Sequence, residues 1–357
     1  YEMTSSLVGS EMCIRDRFRA DAGAKYAAGV LRAGGLVAFP TETVYGLGAN
    51  GLDGRAVARI FEAKGRPQDN PLILHVARKS DVKPLWTHIP DLARRLMDAF
   101  WPGPLTLIYK KSDIVPEEVT AGLDTVAVRM SSNRTALELI REAGVPVAAP
   151  SANLSGRPSP TQAAHVLEDL NGRIDVILDG GPCQVGLEST VLLISKTPAI
   201  LRPGAVTREM LEAEIGRVEL SGSILRPLGA GEAAPSPGMR HRHYAPNAEV
   251  VVAEGPARRA ADLIRREYDA REAAGQSCII LASKETQSFY RGRRYVIIGS
   301  AKDKREMCAN LFAALRGHSA DYDVIFAEAV STDELGLAYM NRLLRAAGFN
   351  VIGGDQP

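Results

Sequence analysis

From Asp21 onward, apolar residues recur with two alternating periods. Tyr26, Val30 and Leu31 lie at helical spacing, and Gly34-Gly35 end that helix. The run Leu36-Val37-Ala38-Phe39 is short enough for a buried strand and stops at Pro40. Val57, Ile60 and Phe61 mark one face of a helix over 55–64, with Gly65 placed to serve as its C-cap. The same patterning predicts strands at 72–76, 105–109, 125–130, 145–149, 176–179 and 190–194, and helices at 92–100, 134–143 and 162–169. Strands and helices alternate, but their connections are irregular. The expected fold is therefore α/β, with a mixed twisted sheet and helices against it rather than a strictly doubly wound parallel one.

The pattern breaks near Leu225. Pro, Gly and Ala crowd 226–238, the composition of a linker. The next eight residues, Met239 to Pro246 (MRHRHYAP), are instead basic and aromatic. Regular β-then-α order resumes with strands at 249–253, 278–282, 295–298 and 324–327, and helices at 258–268, 305–315 and 337–347. That order predicts a smaller Rossmann-like three-layer α/β domain, although no G-x-G-x-x-G turn opens it. Four parts are expected: 1–17, 18–225, 226–247 and 248–357. No internal repeat relates the halves.

Length and composition change this picture little. A chain of 357 residues suits about two domains, and 45% apolar with 24% charged residues is the balance of a folded globular protein. The formal net charge of +1 supplies no global basic field, so any anion must be held by a local site. No apolar stretch approaches the roughly 20 residues that span a bilayer. Cys13, Cys183, Cys278 and Cys308 are scattered without a C-x-x-C pair, which predicts neither zinc site nor disulfide scaffold and fits a cytoplasmic protein. Tyr1 to Arg17 has neither a signal-peptide pattern nor an amphipathic one, and is expected to be a non-native or disordered leader.

Three segments carry candidate chemistry. In the first, Lys64-Gly-Arg66-Pro-Gln-Asp-Asn70-Pro-Leu-Ile-Leu-His75, two cations sit at a helix end. Cations there complement the helix dipole, which is the plainer explanation. Arg66, Asn70 and His75 on one stiff loop-to-strand segment are also how donors would be set around a polyphosphate or carboxylate. The second, Phe39-Pro-Thr41-Glu-Thr43-Val-Tyr-Gly46-Leu-Gly48, reads as a strand leading into hydroxyls and small glycines before a helix. It has neither phosphate-loop nor dinucleotide spacing, and Thr41 capping a turn would account for it. The third, Ala149 to Thr161, follows an apolar strand with Ser151, Asn153 and Ser155, and Ser159 or Thr161 is placed to cap the next helix. Arg129 at a strand end, Glu188-Ser189-Thr190 before a strand and Leu201-Arg202-Pro-Gly204 after one complete the set. His241 and His243 alternate without a third ligand, so no metal site is predicted. No nucleophilic triad is recognisable.

Together these segments resemble the YrdC family, in the long two-domain form of its threonylcarbamoyl-AMP synthases. The likeness lies in PTETVYGLG (Pro40 to Gly48), KGRPQDNPL (Lys64 to Leu72), SANLSG (Ser151 to Gly156), EST (Glu188 to Thr190), LRPG (Leu201 to Gly204) and SPGMRHRHYAP (Ser236 to Pro246). It continues more weakly through AYMNRLLRAA (Ala338 to Ala347). The resemblance implies a YrdC-like catalytic domain over 18–225, a linker and active-site lid over 226–247, and a C-terminal domain over 248–357.

The implied reaction joins L-threonine, bicarbonate or carbon dioxide, and ATP into threonylcarbamoyl-AMP with release of pyrophosphate. ATP would enter with Mg²⁺, and the product would pass to tRNA-modifying transferase proteins. By the same likeness Lys64 and Arg66 would be catalytic, facing the phosphates. Asn70, Thr125, Ala149, Ser151, Asn153, Ser159, Arg202 and Tyr244 would complete the ATP site. Thr43, His75, Arg129 and Ser189 would hold threonine, with Arg129 gripping its carboxylate. A cation-lined site of this kind needs alignment and charge neutralisation more than a nucleophile. Two other readings stand beside it. One is an RNA-binding module without chemistry, which a net charge of +1 disfavours. The other is carbamoyl transfer in metallocentre maturation, whose zinc-finger cysteine pairs are missing. Neither a membrane contact nor a stable nucleic-acid complex is expected.

Overall fold

The structure is a computed structural model, and it describes residues 12–15, 20–222, 224–226 and 244–353. Its larger sheet begins with β1 (Met12–Arg15), followed by helix α1 (Ala20–Arg32), β2 (Val37–Phe39) and β3 (Gly46–Asn50). Next come α2 (Gly54–Lys64), β4 (Ile73–His75), α3 (Asp91–Phe100), β5 (Leu105–Lys110), α4 (Glu117–Thr120) and β6 (Thr125–Arg129). The chain continues through α5 (Arg134–Ala143), β7 (Val147–Ala148), α6 (Ala163–Leu170) and β8 (Val176–Asp179). It closes this part with β9 (Thr190–Leu193), β10 (Ala199–Arg202), α7 (Arg208–Ile215) and β11 (Glu219–Leu220). The strand order is β1-β8-β2-β3-β7-β4-β6-β5-β9-β10-β11, mixed parallel and antiparallel as the irregular connections predict.

The second sheet contains β12 (Glu249–Ala253), β13 (Cys278–Ser283), β14 (Tyr295–Gly299), β15 (Val324–Glu328) and β16 (Val351–Ile352). Helices α8 (Ala257–Ala273), α9 (Lys304–His318) and α10 (Leu335–Ala346) connect them. Its order is β14-β13-β15-β12-β16 and every pairing is parallel, the three-layer arrangement expected of alternating β and α. One core joins the two units. Val44 and Leu187 of the first pack, together with Tyr244, against Phe312, Tyr339 and Leu343 of the second.

Local chemistry explains the element ends. Helix α2 starts at Asp53, whose carboxylate accepts from the Arg55 and Ala56 amides. It stops at Gly65, which adopts the left-handed conformation (φ 60°) and fulfils the predicted C-cap. The expected cap at Ser159 or Thr161 does not form: α6 starts after Gln162, which makes no side-chain cap bond. Ser159 instead donates to the buried Glu188 carboxylate.

Two other expectations are corrected. The stretch around Gly46-Leu-Gly48 is not a loop leading to a helix but strand β3, antiparallel to both β2 and β7. Its glycines hid it, because they carry little strand propensity. They are there for packing: a Cβ on Gly48 would meet Val147 Cγ1 at 2.8 Å and Phe39 at 2.9 Å. Arg202 does not follow its strand but ends it. Within the expected leader, Met12–Arg15 pairs in parallel with Val176–Asp179, because an open sheet edge accepts almost any extended backbone. The basic segment around His241 and His243 lies outside the described residues.

Two glycines separate steric from conformational demand. A Cβ on Gly204 would lie 2.3 Å from the Thr190 amide nitrogen, against backbone that cannot rotate away, whereas one on Gly65 would meet nothing within 4 Å. Gly204→Ala is therefore expected to lose about 1–3 kcal/mol through overpacking. Gly65→Ala should lose about 1 kcal/mol through its left-handed backbone alone. Urea unfolding of the two variants checks the order.

Candidate active site

Sheet register builds the centre of the site. His75 on β4 lies opposite Arg129 on β6, and Arg129 lies opposite Thr106 on β5. The row continues to the start of β9, where Ser189 and Thr106 share a hydroxyl hydrogen bond of 2.7 Å. Above it, the connection from β2 to β3 is fixed by Thr41, whose Oγ accepts from the Thr43 and Val44 amides and donates to the Val44 carbonyl. The turn-capping explanation of Thr41 is correct. It also aims Thr43 inward: Arg129 Nη1 donates to Thr43 Oγ1 at 2.9 Å.

The result is a hollow open to solvent, with about 620 Å³ of empty space. Of the residues singled out in the sequence, Thr43, Arg66, His75, Arg129, Ala149, Ser151, Ser189, Arg202 and Tyr244 line it. Five stand behind or beside the wall. Lys64 is buried, and its Nζ donates to the Ser151 and Asn153 carbonyls, both at 2.5 Å. Asn153 closes the same loop by accepting from Ser151 Oγ and donating to the Leu154 and Arg157 carbonyls. Ser159 holds Glu188. Asn70 is wholly buried, and neither end of its amide has a hydrogen-bond partner. Its backbone carbonyl accepts from Arg66 Nη2 at 3.2 Å. Thr125 starts β6, half-buried, and pairs across to Lys110 on β5.

Tyr244 precedes the second unit and packs against it. Its ring tilts onto Phe312 of α9 at 5.2 Å, and the Ala245 amide donates to the Gly156 carbonyl at 2.9 Å. Its φ of +63° is unusual for a bulky residue and is held by this packing.

Comparison with known proteins gives the family. Residues 29–204 match the Sua5/YciO/YrdC family model, described as telomere recombination. Residues 206–348 match the threonylcarbamoyl-AMP synthase C-terminal domain. The chain is 47% identical to threonylcarbamoyl-AMP synthase of Pyrococcus abyssi, covering 92% of this chain and 95% of that protein. It is also 47% identical to the Bacillus subtilis protein of the same name, covering 91% and 93%. The chain belongs to the threonylcarbamoyl-AMP synthase family. The crystal structure of P. abyssi Sua5 complexed with L-threonine superposes with a TM-score of 0.89 at 45% identity, over 96% of this chain and 98% of that one.

As a member of the synthase family, the chain is a nucleotidyltransferase-type enzyme that makes the threonylcarbamoyl adenylate used in tRNA modification, with ATP as a substrate. Its site keeps cations and carboxylates close together. Arg129 is 3% exposed, and its Nη2 lies 2.8 Å from Glu42 Oε1. Burial alone would raise Glu42, but the Arg129 charge and the Ser131 hydroxyl outweigh it and hold the carboxylate below its ordinary range. Burial, then the neighbouring Arg129, brings His75 down to about 3, so its ring is neutral at physiological pH. Burial lowers Arg66 to about 10, which leaves it charged. Lys64 is depressed well below its usual value by burial and then by Arg66.

Sequence reasoning did not single out Glu42, Glu188 or Arg342 as site residues. The first two sit inside quoted motifs, where one acid among hydroxyls is indistinguishable from a turn residue. The signal for Arg342 was available: Ala338, Tyr339, Leu343 and Ala346 place it, with Asn341 and Arg345, on a largely apolar buried face of α10.

Behind the Ser151–Ser159 loop, Asp169 accepts from the Leu154 amide and pairs with Arg316 of α9 at 2.6 Å and with Arg157 at 2.7 Å. Burial opposes its charge, but the bonds from Arg316 and then Arg157 keep its pKa lowered. A depressed carboxylate stabilises the fold above its unfolded pKa, and that stability is lost as pH falls through the folded value. Asp169→Asn should therefore lose about 3 kcal/mol at pH 7, where buried Arg316 loses its closest carboxylate and keeps only the exposed Glu168 at 3.6 Å. The gap to the wild type should narrow below about pH 4. Urea unfolding at pH 7 and pH 3.5 measures it.

Proposed function

We propose that the hollow is where the synthase reaction takes place and that its wall residues bind the substrates directly. The observation that carries this reading is the gathering of three guanidinium groups, Arg66, Arg129 and Arg202, with the hydroxyls of Thr43, Ser151 and Ser189 in one small concavity. A triphosphate and an amino-acid carboxylate need such a set. Thr43, His75, Arg129 and Ser189 would take threonine. Arg66 and Arg202 would face the phosphates, with Asn70, Thr125, Ala149, Ser151, Asn153 and Ser159 shaping the nucleotide site. Lys64 would act from behind, adding charge and fixing the carbonyls of the Ser151–Asn153 loop.

In the proposed sequence, threonine's neutral amine adds carbon dioxide to give a carbamate, and the N–H proton leaves to solvent. A carbamate oxygen then attacks the α-phosphorus of ATP; the new P–O bond forms as the bond to pyrophosphate breaks. Both partners are anions, so the protein's part is alignment and charge neutralisation. The residues present do not fit a metal cage of the protein's own. Glu42 and Glu188 are each paired with arginine, and among the described residues no group of three or more His, Cys, Asp or Glu could hold an ion. Mg²⁺ would accompany ATP, held by phosphate oxygens and water.

Tyr244 would close over the nucleotide at the end of a linker spanning 226–247, between a catalytic unit at 18–225 and a C-terminal unit at 248–357. Its ring, packed on Phe312, would anchor such a lid when it docks. The product would pass to tRNA-modifying transferases in the cytoplasm. No helix among the described residues is long and apolar enough to cross a membrane.

Arg66→Ala should lower threonine-, bicarbonate- and ATP-dependent pyrophosphate release on the order of a hundredfold. The circular dichroism spectrum should be unchanged, because the residue lines an open hollow. Near-normal release would remove Arg66 from the reaction. Tyr244→Ala should weaken ATP binding more than L-threonine binding in calorimetric titrations, and equal effects on both would exclude the lid. Mass spectrometry of the adenylate formed from each candidate amino acid tests the substrate directly.

A further inference from the structure

Helix α10 carries a charged side chain where an apolar one would pack. Arg342 is wholly buried between the two units. Its Nε donates to Glu188 Oε2 at 2.9 Å and its Nη2 to the Glu188 carbonyl at 3.1 Å. Its Nη1 donates to the Pro203 carbonyl at 2.6 Å and to Asn341 Oδ1 at 2.9 Å. The guanidinium also lies 6.0 Å from the centre of the Tyr244 ring. Glu188 immediately precedes Ser189, and Pro203 immediately follows Arg202. One side chain of the C-terminal unit thus grips both segments that deliver Ser189 and Arg202 to the hollow.

Charge makes the grip consequential. Glu188 lines the hollow, so it places an anion where anionic substrates must enter. Burial would raise its pKa; the charge of Arg342, then that of Arg202, keeps it ionised. Arg202 is therefore a competitor for the same carboxylate. At present Arg202 bonds the Ser189 carbonyl and hydroxyl instead, each at 3.1 Å. Removing Arg342 would leave Glu188 buried with Arg202 as its strongest cationic neighbour, and the two would pair.

We propose that Arg342 is a positioning residue supplied by the C-terminal unit: it takes up the charge of Glu188, and so leaves Arg202 and Ser189 directed at the substrates. This rests on the hollow being the ATP and threonine site. The C-terminal unit then does more than carry a closing segment. It completes the electrostatics of a site whose substrate-facing groups belong to the first unit.

The test measures ATP and L-threonine binding by calorimetry, and pyrophosphate release, in four full-length chains. Arg342→Met should weaken ATP binding roughly ten- to a hundredfold, the span of one charge-assisted contact. The effect on threonine should be smaller. Arg342→Lys keeps the charge while losing most of the bonds, and should stay within about threefold of the wild type for ATP if neutralisation dominates. Arg342→Met/Glu188→Gln removes both charges and should recover most of the lost ATP affinity. Should Arg342→Met fail to fold by circular dichroism, the Lys and double variants carry the comparison. A folded Arg342→Met with unchanged ATP affinity, or a double variant no better than the single, would overturn the role of Arg342. A wild-type chain that binds no ATP would instead remove the reading of the hollow on which it rests.

Discussion

A hollow lined with cations must stay folded before its anions arrive. Guanidinium groups brought this close repel one another, and burial deprives them of water. Around this hollow the chain answers with two internal carboxylates. Glu42 sits against Arg129, and Glu188 sits between Arg342 and Arg202. Each is kept ionised by its arginine and by a serine hydroxyl, Ser131 for one and Ser159 for the other. The surrounding topology can be read as the means of delivering these pairs. The row from β4 through β6 to β5 sets Arg129, the β9–β10 pair sets Arg202, and α10 sets Arg342.

Behind that electrostatic frame lies a layer of buried side chains that fix loops. Lys64 holds two carbonyls of the Ser151–Asn153 loop, and Asp169 holds the Leu154 amide from the other side. Arg316 joins Asp169 and the Pro158 carbonyl to α9. The loop is irregular in backbone yet anchored at both ends, which is how a loop can present hydroxyls with the precision of a strand.

Much of this was legible in the sequence, for reasons that differ by element. The helix expected over 55–64 was plain because its apolar stripe and its C-cap glycine agree. Strand β3 was not, since Gly46 and Gly48 are chosen for close approach to neighbouring strands and leave no hydrophobic signature. The stretch 145–149 promised a longer strand than the two paired residues, Val147–Ala148, because its apolar character serves burial on both sides rather than pairing. At the site, spacing within KGRPQDNPL identified a cluster but not which cation would face inward. Arg66 lines the hollow while Lys64 turns toward carbonyls, a choice made by a loop some ninety residues away in sequence. The Arg342–Glu188 pair was invisible for the same reason: nothing local to either residue announces a partner 154 positions distant.

The neutral state of His75 fits this arrangement of charge. In the proposed reaction threonine must enter with a gripped carboxylate but react through an uncharged amine. A site rich in carboxylate would favour the ammonium form; one dominated by guanidinium groups disfavours it, since a nearby like charge lowers an amine's pKa. Arg66, Arg129 and Arg202 would thus do two things at once, attracting the anionic parts of both substrates and easing loss of the amine proton. A protonated His75 would strengthen the second effect, but it would add another buried cation beside Arg129. With its pKa brought down to about 3, the imidazole is neutral and can line the hollow without that penalty. The pairing of Glu42 and Glu188 with arginines is then as important for the amine as for the phosphates, because a free carboxylate in the hollow would hold the proton that the reaction has to lose.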